Sequence, residues 1–298
     1  MKSGSRDSLE PIVDARALLG ECPVWSPVDA RLYWIDIDGR AIHSFEPSTG
    51  AQEARTTPGR PGSIALTAER GRLLAAMEHE LGWFAWESGD YVPWVALEPA
   101  GTGNRLNDGR CDPAGRFWVG SMYERAAADR FTGFLHRVER DGTAAIVRGE
   151  VGVSNGLAFS PDGETMYWAD TLHDVVWSYD YDISTGAAQN ERVFVDFTDH
   201  PGRPDGACVD EDGCYWVACV HGGALARFSP TGALDRLIEV PTTRPTMPAF
   251  GNANLDVMYV TTIGAGGSHE ADPGDPHAGG LFAIEVGVRG LPEPVFAG

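Results

Sequence analysis

The chain lacks the groups that several common chemistries need. Lys2 is its only lysine, and every other basic side chain apart from histidine is arginine. A phosphate-cradling loop places a lysine on the phosphates, and Schiff-base chemistry uses a buried lysine amine. A lysine at position 2 is expected to serve neither. The five cysteines, Cys22, Cys111, Cys208, Cys214 and Cys219, form no Cys-x-x-Cys pair and no zinc spacing, and their odd number fits reduced thiols. The eight histidines include no His-Glu-x-x-His arrangement. No run approaches the ~18 apolar residues of a membrane span, and Met1 to Asp7 lead into no apolar signal core. These absences give the expectation of a soluble, cytoplasmic protein. Amphipathic helical periodicity is scarce as well.

What is present is apolar, turn-rich and acidic. Of the 298 residues, 43% are hydrophobic, enough for a large core, while 37 glycines and 20 prolines favour many turns over long helices. The formal net charge of −20 repels nucleic acid and anionic membrane, so the expected partner is a small molecule or a cation. Much of that charge serves solubility.

Short runs rich in β-branched and aromatic residues recur, each preceded by a turn. Ser26-Pro27-Val28-Asp29 precedes Leu32-Tyr33-Trp34-Ile35, and Thr67 to Gly71 precede Leu73-Leu74. Asp112-Pro113-Ala114-Gly115 precedes Phe117-Trp118-Val119, and Ser160-Pro161-Asp162-Gly163 precedes Met166-Tyr167-Trp168. Asp210 to Gly213 precede Tyr215-Trp216-Val217, and a worn sixth copy joins Asn252-Ala253-Asn254 to Met258-Tyr259-Val260. The landmarks Trp34, Leu74, Trp118, Trp168, Trp216 and Tyr259 stand 40, 44, 50, 48 and 43 residues apart. Strand-and-turn periods of roughly 40–50 residues read as propeller blades. The fold expected is all-β: a six-bladed β-propeller with four-stranded antiparallel blades around a central channel. It should form one domain over residues 1–298, with residues 1–10 as a flexible N-terminal extension.

Counting back from each turn sharpens this. Asn155, Asp205, Asn107 and Ser63 each lie eight residues before a turn glycine, and Glu21 lies eight before Asp29, which stands in the glycine's place. In a propeller the innermost strands line the channel, so equivalent positions form a ring around the axis. Taken singly, each side chain could cap its own backbone in an Asx-type turn. A ring of carboxylates and amides at matched offset is costly unless it is hydrogen-bonded or holds a cation, and all-oxygen donors suit Ca²⁺, Mg²⁺ or Mn²⁺. Arg105 lies two residues before Asn107 and so points to the same side of a strand. Gly152-Val153-Ser154-Asn155-Gly156 matches the Gly-x-Ser-x-Gly elbow, which requires strand, turn and helix. Here a strand and a Pro-Asp-Gly turn follow, so Ser154 is not expected to be a nucleophile. His221 reads as a turn histidine. Gly264–Gly280, rich in glycine and acid, reads as a loop between strands.

The chain resembles the gluconolactonase, regucalcin (senescence-marker protein) and luciferin-regenerating-enzyme family nearly end to end. The resemblance rests on Leu19-Gly20-Glu21-Cys22-Pro23-Val24-Trp25, Asn104-Arg105-Leu106-Asn107-Asp108-Gly109, Asp112-Pro113-Ala114-Gly115-Arg116, Ser154-Asn155-Gly156-Leu157, Pro204-Asp205-Gly206, Trp216-Val217-Ala218 and Gly279-Gly280-Leu281-Phe282. It implies a six-bladed propeller with one divalent metal ion, held by Glu21, Asn155 and Asp205. Arg105, Asn107, Asp108 and Glu124 would be substrate contacts, and Asp205 would also act on the attacking water. Cys22 follows a ligand and is expected to be neither ligand nor nucleophile. The implied activity is metal-dependent opening of a sugar-acid lactone, such as gluconolactone, xylonolactone or arabinonolactone, with Ca²⁺, Zn²⁺, Mn²⁺, Fe²⁺ or Mg²⁺ as the ion. The alternatives are a non-catalytic calcium-binding module and a metal-dependent phosphoester or organophosphate hydrolase. The expected partner is a small sugar lactone, with no nucleic acid and no membrane, and the expected state is a monomer or weak homo-oligomer.

Overall fold

In a computed structural model describing residues 9–125, 130–269 and 274–298, each turn signal separates two strands and no helix occurs among the described residues. The turns form for local reasons. At Ser160-Pro161-Asp162-Gly163, Gly163 takes φ +70°, a left-handed conformation, while the Asp162 carboxylate accepts the Glu164 N–H at 3.0 Å.

The strands group into six antiparallel sheets. Blade 1 holds β1 (Gly20–Ser26), β2 (Arg31–Asp36), β3 (Ala41–Glu46) and β4 (Ala51–Thr56). Blade 2 holds β5 (Ser63–Leu66) to β8 (Tyr91–Ala96), and blade 3 holds β9 (Asn104–Cys111), β10 (Phe117–Tyr123), β11 (Gly133–Val138) and β12 (Ala144–Val151). Blade 4 runs from β13 (Ser154–Phe159) and β14 (Thr165–Asp170) to β16 (Ala187–Asp196), and blade 5 from β17 (Arg203–Val209) and β18 (Tyr215–Val220) to β20 (Leu234–Glu239). Blade 6 has three strands, β21 (Pro245–Gly251), β22 (Val257–Thr262) and β23 (Phe282–Ile284). In its fourth strand's place the chain near Val13 bridges to Leu281, with hydrogen bonds in both directions. The architecture is the six-bladed propeller that the repeat spacing implies. Residues 1–8 of the expected N-terminal extension lie outside the described residues, and Leu9 packs against the apolar cluster of blades 5 and 6.

The first strand of each blade is innermost. β9, β13 and β21 are buried along their whole length, whereas the outer strands β4 and β20 alternate between exposed and half-buried. Neighbouring inner strands touch in sequence order, and β21 closes against β1. The landmarks Trp34, Leu74, Trp118, Trp168, Trp216 and Tyr259 lie between blades, each at most 2% exposed. They wedge the sheets apart at a fixed angle and supply much of the apolar burial.

Two carboxylates pin the start of inner strands. Asp36, at the end of β2, accepts the N–H groups of Leu18, Leu19 and Gly39. Asp170, at the end of β14, does the same for Gly152, Val153 and Leu172. Each fixes the chain just before a candidate ligand, Glu21 or Asn155.

Candidate active site

Four inner strands break their ladder at the same level. In β1, Cys22 and Pro23 stand opposite Trp34 alone, and in β9, Asn107 and Asp108 stand opposite Gly120. In β13, Gly156 and Leu157 oppose Trp168, and in β17, Asp205 and Gly206 oppose Ala218. Two residues against one is a β-bulge, which bends the strand and re-aims side chains. Glu21, Asn107, Asn155 and Asp205 sit at these bulges and converge on one channel mouth, around a cavity of about 230 Å³.

Ser63, the fifth residue of the register, differs. β5 pairs with β6 (Arg72–Ala76) without a bulge, Ser63 opposite Ala76. Its hydroxyl is packed toward Gly109 of β9, without a hydrogen-bond partner among the described residues, and it does not line the cavity.

A polar chain links three blades around the site. Arg105 Nη1 donates to Asn107 Oδ1 at 2.6 Å and to the Leu106 carbonyl at 3.1 Å. Asn107 Nδ2 donates to the Ser154 carbonyl at 2.9 Å and to Asn155 Oδ1 at 3.3 Å. Asn155 Nδ2 donates to Thr171 Oγ1, whose own proton goes to the Pro204 carbonyl, both at 2.8 Å. Because Thr171 spends its hydrogen on Pro204, it must accept from Asn155. That assigns the Asn155 amide and turns its oxygen toward Asn107 and the cavity.

Glu21 stays partly open to the cavity, and Asp205 is 7% exposed. Burial raises both carboxyls well above the ordinary range, and Asp205 and Asp108 raise Glu21 further, as Asp108 does Asp205. Asp108 is itself raised by burial. Burial, then Arg60, lowers the Arg105 guanidinium to about 10. Crowded buried carboxyls with one buried arginine call for a further positive charge. Among the described residues no cluster of three His, Cys, Asp or Glu side chains has metal-holding geometry. The third oxygen here comes from the Asn155 amide. Two carboxylates and one amide oxygen make an all-oxygen donor set that fits a hard divalent cation.

Asp108 and Glu124 fall elsewhere than expected. Asp108 does not line the cavity; its Oδ2 accepts the Leu157 N–H at 3.0 Å and its Oδ1 has no partner among the described residues. Glu124 is exposed, ion-pairs with Arg60 Nη2 at 2.8 Å and does not line the cavity. Cys22 is buried behind Glu21 with φ +47°, and its sulfur bonds the backbone of Ile64 in both directions. Burial pushes its thiol up, away from the thiolate a nucleophile needs. Ser154 is fully buried and accepts the indole N–H of Trp168 at 2.8 Å, a structural duty.

The cavity also takes Arg203, His221 and His269 into its wall. Arg203 pairs with Asp174 at 3.3 Å. None of the three shares the turn register, so spacing carried no signal for them. Part of the Gly264–Gly280 loop, residues 270–273, lies outside the described residues. At the other end of the channel a cavity of about 260 Å³ is lined by prolines, Phe159, Phe250 and the Arg110–Glu293 pair. Among the described residues no comparable set of acids and amides meets there.

Residues 19–264 match the family described as SMP-30/Gluconolactonase/LRE-like region. A 6-deoxy-6-sulfogluconolactonase from Pseudomonas putida is 39% identical over 295 residues, covering 98% of this chain and 99% of that protein. A pentonolactonase from Haloferax volcanii is 36% identical over 294 residues, covering 95% and 96%. Among solved structures, a calcium-binding regucalcin from Agrobacterium tumefaciens superposes with a TM-score of 0.90 at 27% identity, over 97% of each chain.

Proposed function

The chain belongs to the SMP-30/gluconolactonase/LRE-like family, and from that membership we propose that it hydrolyses a sugar-acid lactone to the aldonic acid with the help of a divalent cation. The observation that carries this reading is the convergence of Glu21, Asn155 and Asp205 on one cavity with Arg105 and Asn107 beside them. An ion-storage module has no use for the last two. Arg105 offers a donor array fixed by two internal hydrogen bonds, suited to a carbonyl or hydroxyl-rich ligand.

Glu21, Asn155 and Asp205 would hold the cation, which when bound supplies Lewis-acid polarisation of the lactone carbonyl. Asp205, which lines the cavity beside the place for the cation, takes the proton of the water that attacks the carbonyl carbon. The carbonyl carbon–ring oxygen bond then breaks, and the proton taken up by Asp205 passes to the ring oxygen, which leaves as a hydroxyl. Arg105 and Asn107 hold the sugar's oxygens, so that the ring stays aligned through the step. The apolar wall, including Leu19, Ile37, Met122 and Ile263, limits bulk water.

The test measures opening of gluconolactone, xylonolactone and arabinonolactone before and after chelation, and in Asp205→Ala. Chelation should abolish turnover and re-addition of a divalent ion should restore it. Asp205→Ala should lower kcat by roughly 100-fold or more, the size of a general-base contribution. Unchanged rates in both arms would sink the reading.

A further inference from the structure

The β22–β23 connection leaves its blade at the same end of the channel as Glu21. Its base is pinned beside the strand that carries Glu21. Gly264 N donates to the Leu18 carbonyl at 3.2 Å, and Gly279 N to Ile263 at 3.1 Å. A Cβ at Gly264 would lie 2.2 Å from the Ala17 carbonyl oxygen, so this departure requires glycine. From there residues 265–269 reach the turn between β2 and β3. Asp38 Oδ2 accepts both the backbone N–H and the hydroxyl of Ser268, each at 2.6 Å. Gly267 makes that approach possible, because a Cβ there would stand 2.7 Å from Asp38 Oδ2. The next residue, His269, is half-buried in the cavity wall with Glu21, Asp205 and Arg105.

We propose that the Asp38–Ser268 clasp presents His269 to the hydroxyl-bearing edge of the bound lactone, making His269 a specificity-determining residue for polyhydroxylated lactones. This rests on the lactonase reading above. The carbonyl end of the substrate belongs at Glu21, Asn155 and Asp205, at the bulges of the inner strands. His269 comes from a loop above those strand ends and so meets the opposite edge of the ring. The charged and titratable groups around it are Arg105, Asp38, Arg244 and His221. Burial and then Arg105 hold the imidazole below its ordinary value, which favours the neutral ring. A neutral imidazole has one donor and one acceptor, matching a sugar hydroxyl, which is also both. Asp38 and Ser268 are positioning residues that act through His269.

The experiment compares kcat/KM for gluconolactone with that for δ-valerolactone, which has the ring and no hydroxyls. His269→Ala should lower the ratio of the two by roughly three- to tenfold, the value of one or two neutral hydrogen bonds, with the loss in KM rather than kcat. His269→Asn, which keeps a donor and an acceptor, should recover part of it. Asp38→Asn and Ser268→Ala should lower the same ratio, and should have no further effect once His269 is alanine. Thermal unfolding checks that each variant is folded, and His269→Asn carries the test if His269→Ala is not. An unchanged ratio in folded His269 variants overturns the assignment while leaving the lactonase reading intact. So does a clasp effect that persists without His269. Absence of lactone opening by the unaltered protein overturns the lactonase reading, and this assignment with it.

Discussion

Each side chain at the site is placed by a neighbour outside it. Asn155 directs its oxygen inward because Thr171 is committed to Pro204. Glu21 receives the N–H of Cys22 at 3.2 Å, where Cys22 adopts φ +47°, a backbone conformation that a residue with a side chain takes only when its surroundings hold it there. The two bonds between the Cys22 sulfur and Ile64 provide that restraint and join blade 1 to blade 2. Ser63 is the contrasting case. It shares the spacing of Asn155 and Asp205, yet its buried hydroxyl has no partner among the described residues. An unpaired buried hydroxyl costs stability. Ser63→Ala should therefore raise stability by up to about 1 kcal/mol, read as roughly 1–3 °C in the unfolding midpoint, and leave lactone turnover intact. A fall in the midpoint, or a loss of turnover, would mean that the hydroxyl supports the site after all.

At the level of elements, a two-against-one bulge separates the four inner strands that contribute from β5, whereas β21 also shifts register, between Pro245 and Met247, and lines no part of the cavity. An unbroken strand alternates strictly, so its first side chain follows the sheet. A bulge frees one position from that alternation. In β13 the bulge begins at Gly156, with φ +61°, where a Cβ would lie 2.4 Å from Tyr215 Oη and 2.9 Å from Ala169 Cβ. Tyr215 also donates to the Gly156 carbonyl at 2.8 Å, tying blade 5 to the bulge of blade 4. Gly156→Ala should cost about 2–5 kcal/mol, combining a left-handed non-glycine residue with overpacking, and should weaken divalent-ion binding by displacing Asn155. Denaturant unfolding and calorimetric ion titration read the two effects, and wild-type values in both would contradict this account. The sequence showed the strands because hydrophobic runs and Pro-Asp-Gly turns are local signals. It also placed Glu21, Asn107, Asn155 and Asp205 at one level. The spacing by itself offered no means of separating Ser63 from them, since a bulge is a relation between two strands and only paired coordinates reveal it. Asp108 read as a site residue from its motif, but the bulge turns it to the Leu157 N–H. Loop contacts such as Ser268 with Asp38 are 230 residues apart in sequence, with no period to betray them.

Across the whole molecule the ring is held by its ends as well as its core. The N-terminal side reaches blade 6 through Val13 and Leu281. The C-terminal segment crosses the face opposite the site. Gly290 bridges to Asp210 of blade 5, Glu293 pairs with Arg110 of blade 3 at 2.8 Å, Phe296 bridges in parallel to Thr67 after β5, and Ala297 N donates to Gly115 at 3.0 Å. Neither strap appears in the repeat pattern, because neither belongs to a repeat. Phe296 anchors the second, at 1% exposure, with its ring 5.8 Å from Trp83 and 5.7 Å from Trp94. These contacts lie at the far end of the channel from Glu21, so stability and catalysis should separate there. Phe296→Ala should cost about 3–5 kcal/mol, a fall of roughly 5–15 °C in the unfolding midpoint. Below the transition kcat/KM should stay within about twofold of the parent, since distant sites contribute independently. If the variant instead loses turnover while still folded, the two ends of the channel are coupled, and the strap is part of the active site's support rather than a brace for the ring alone.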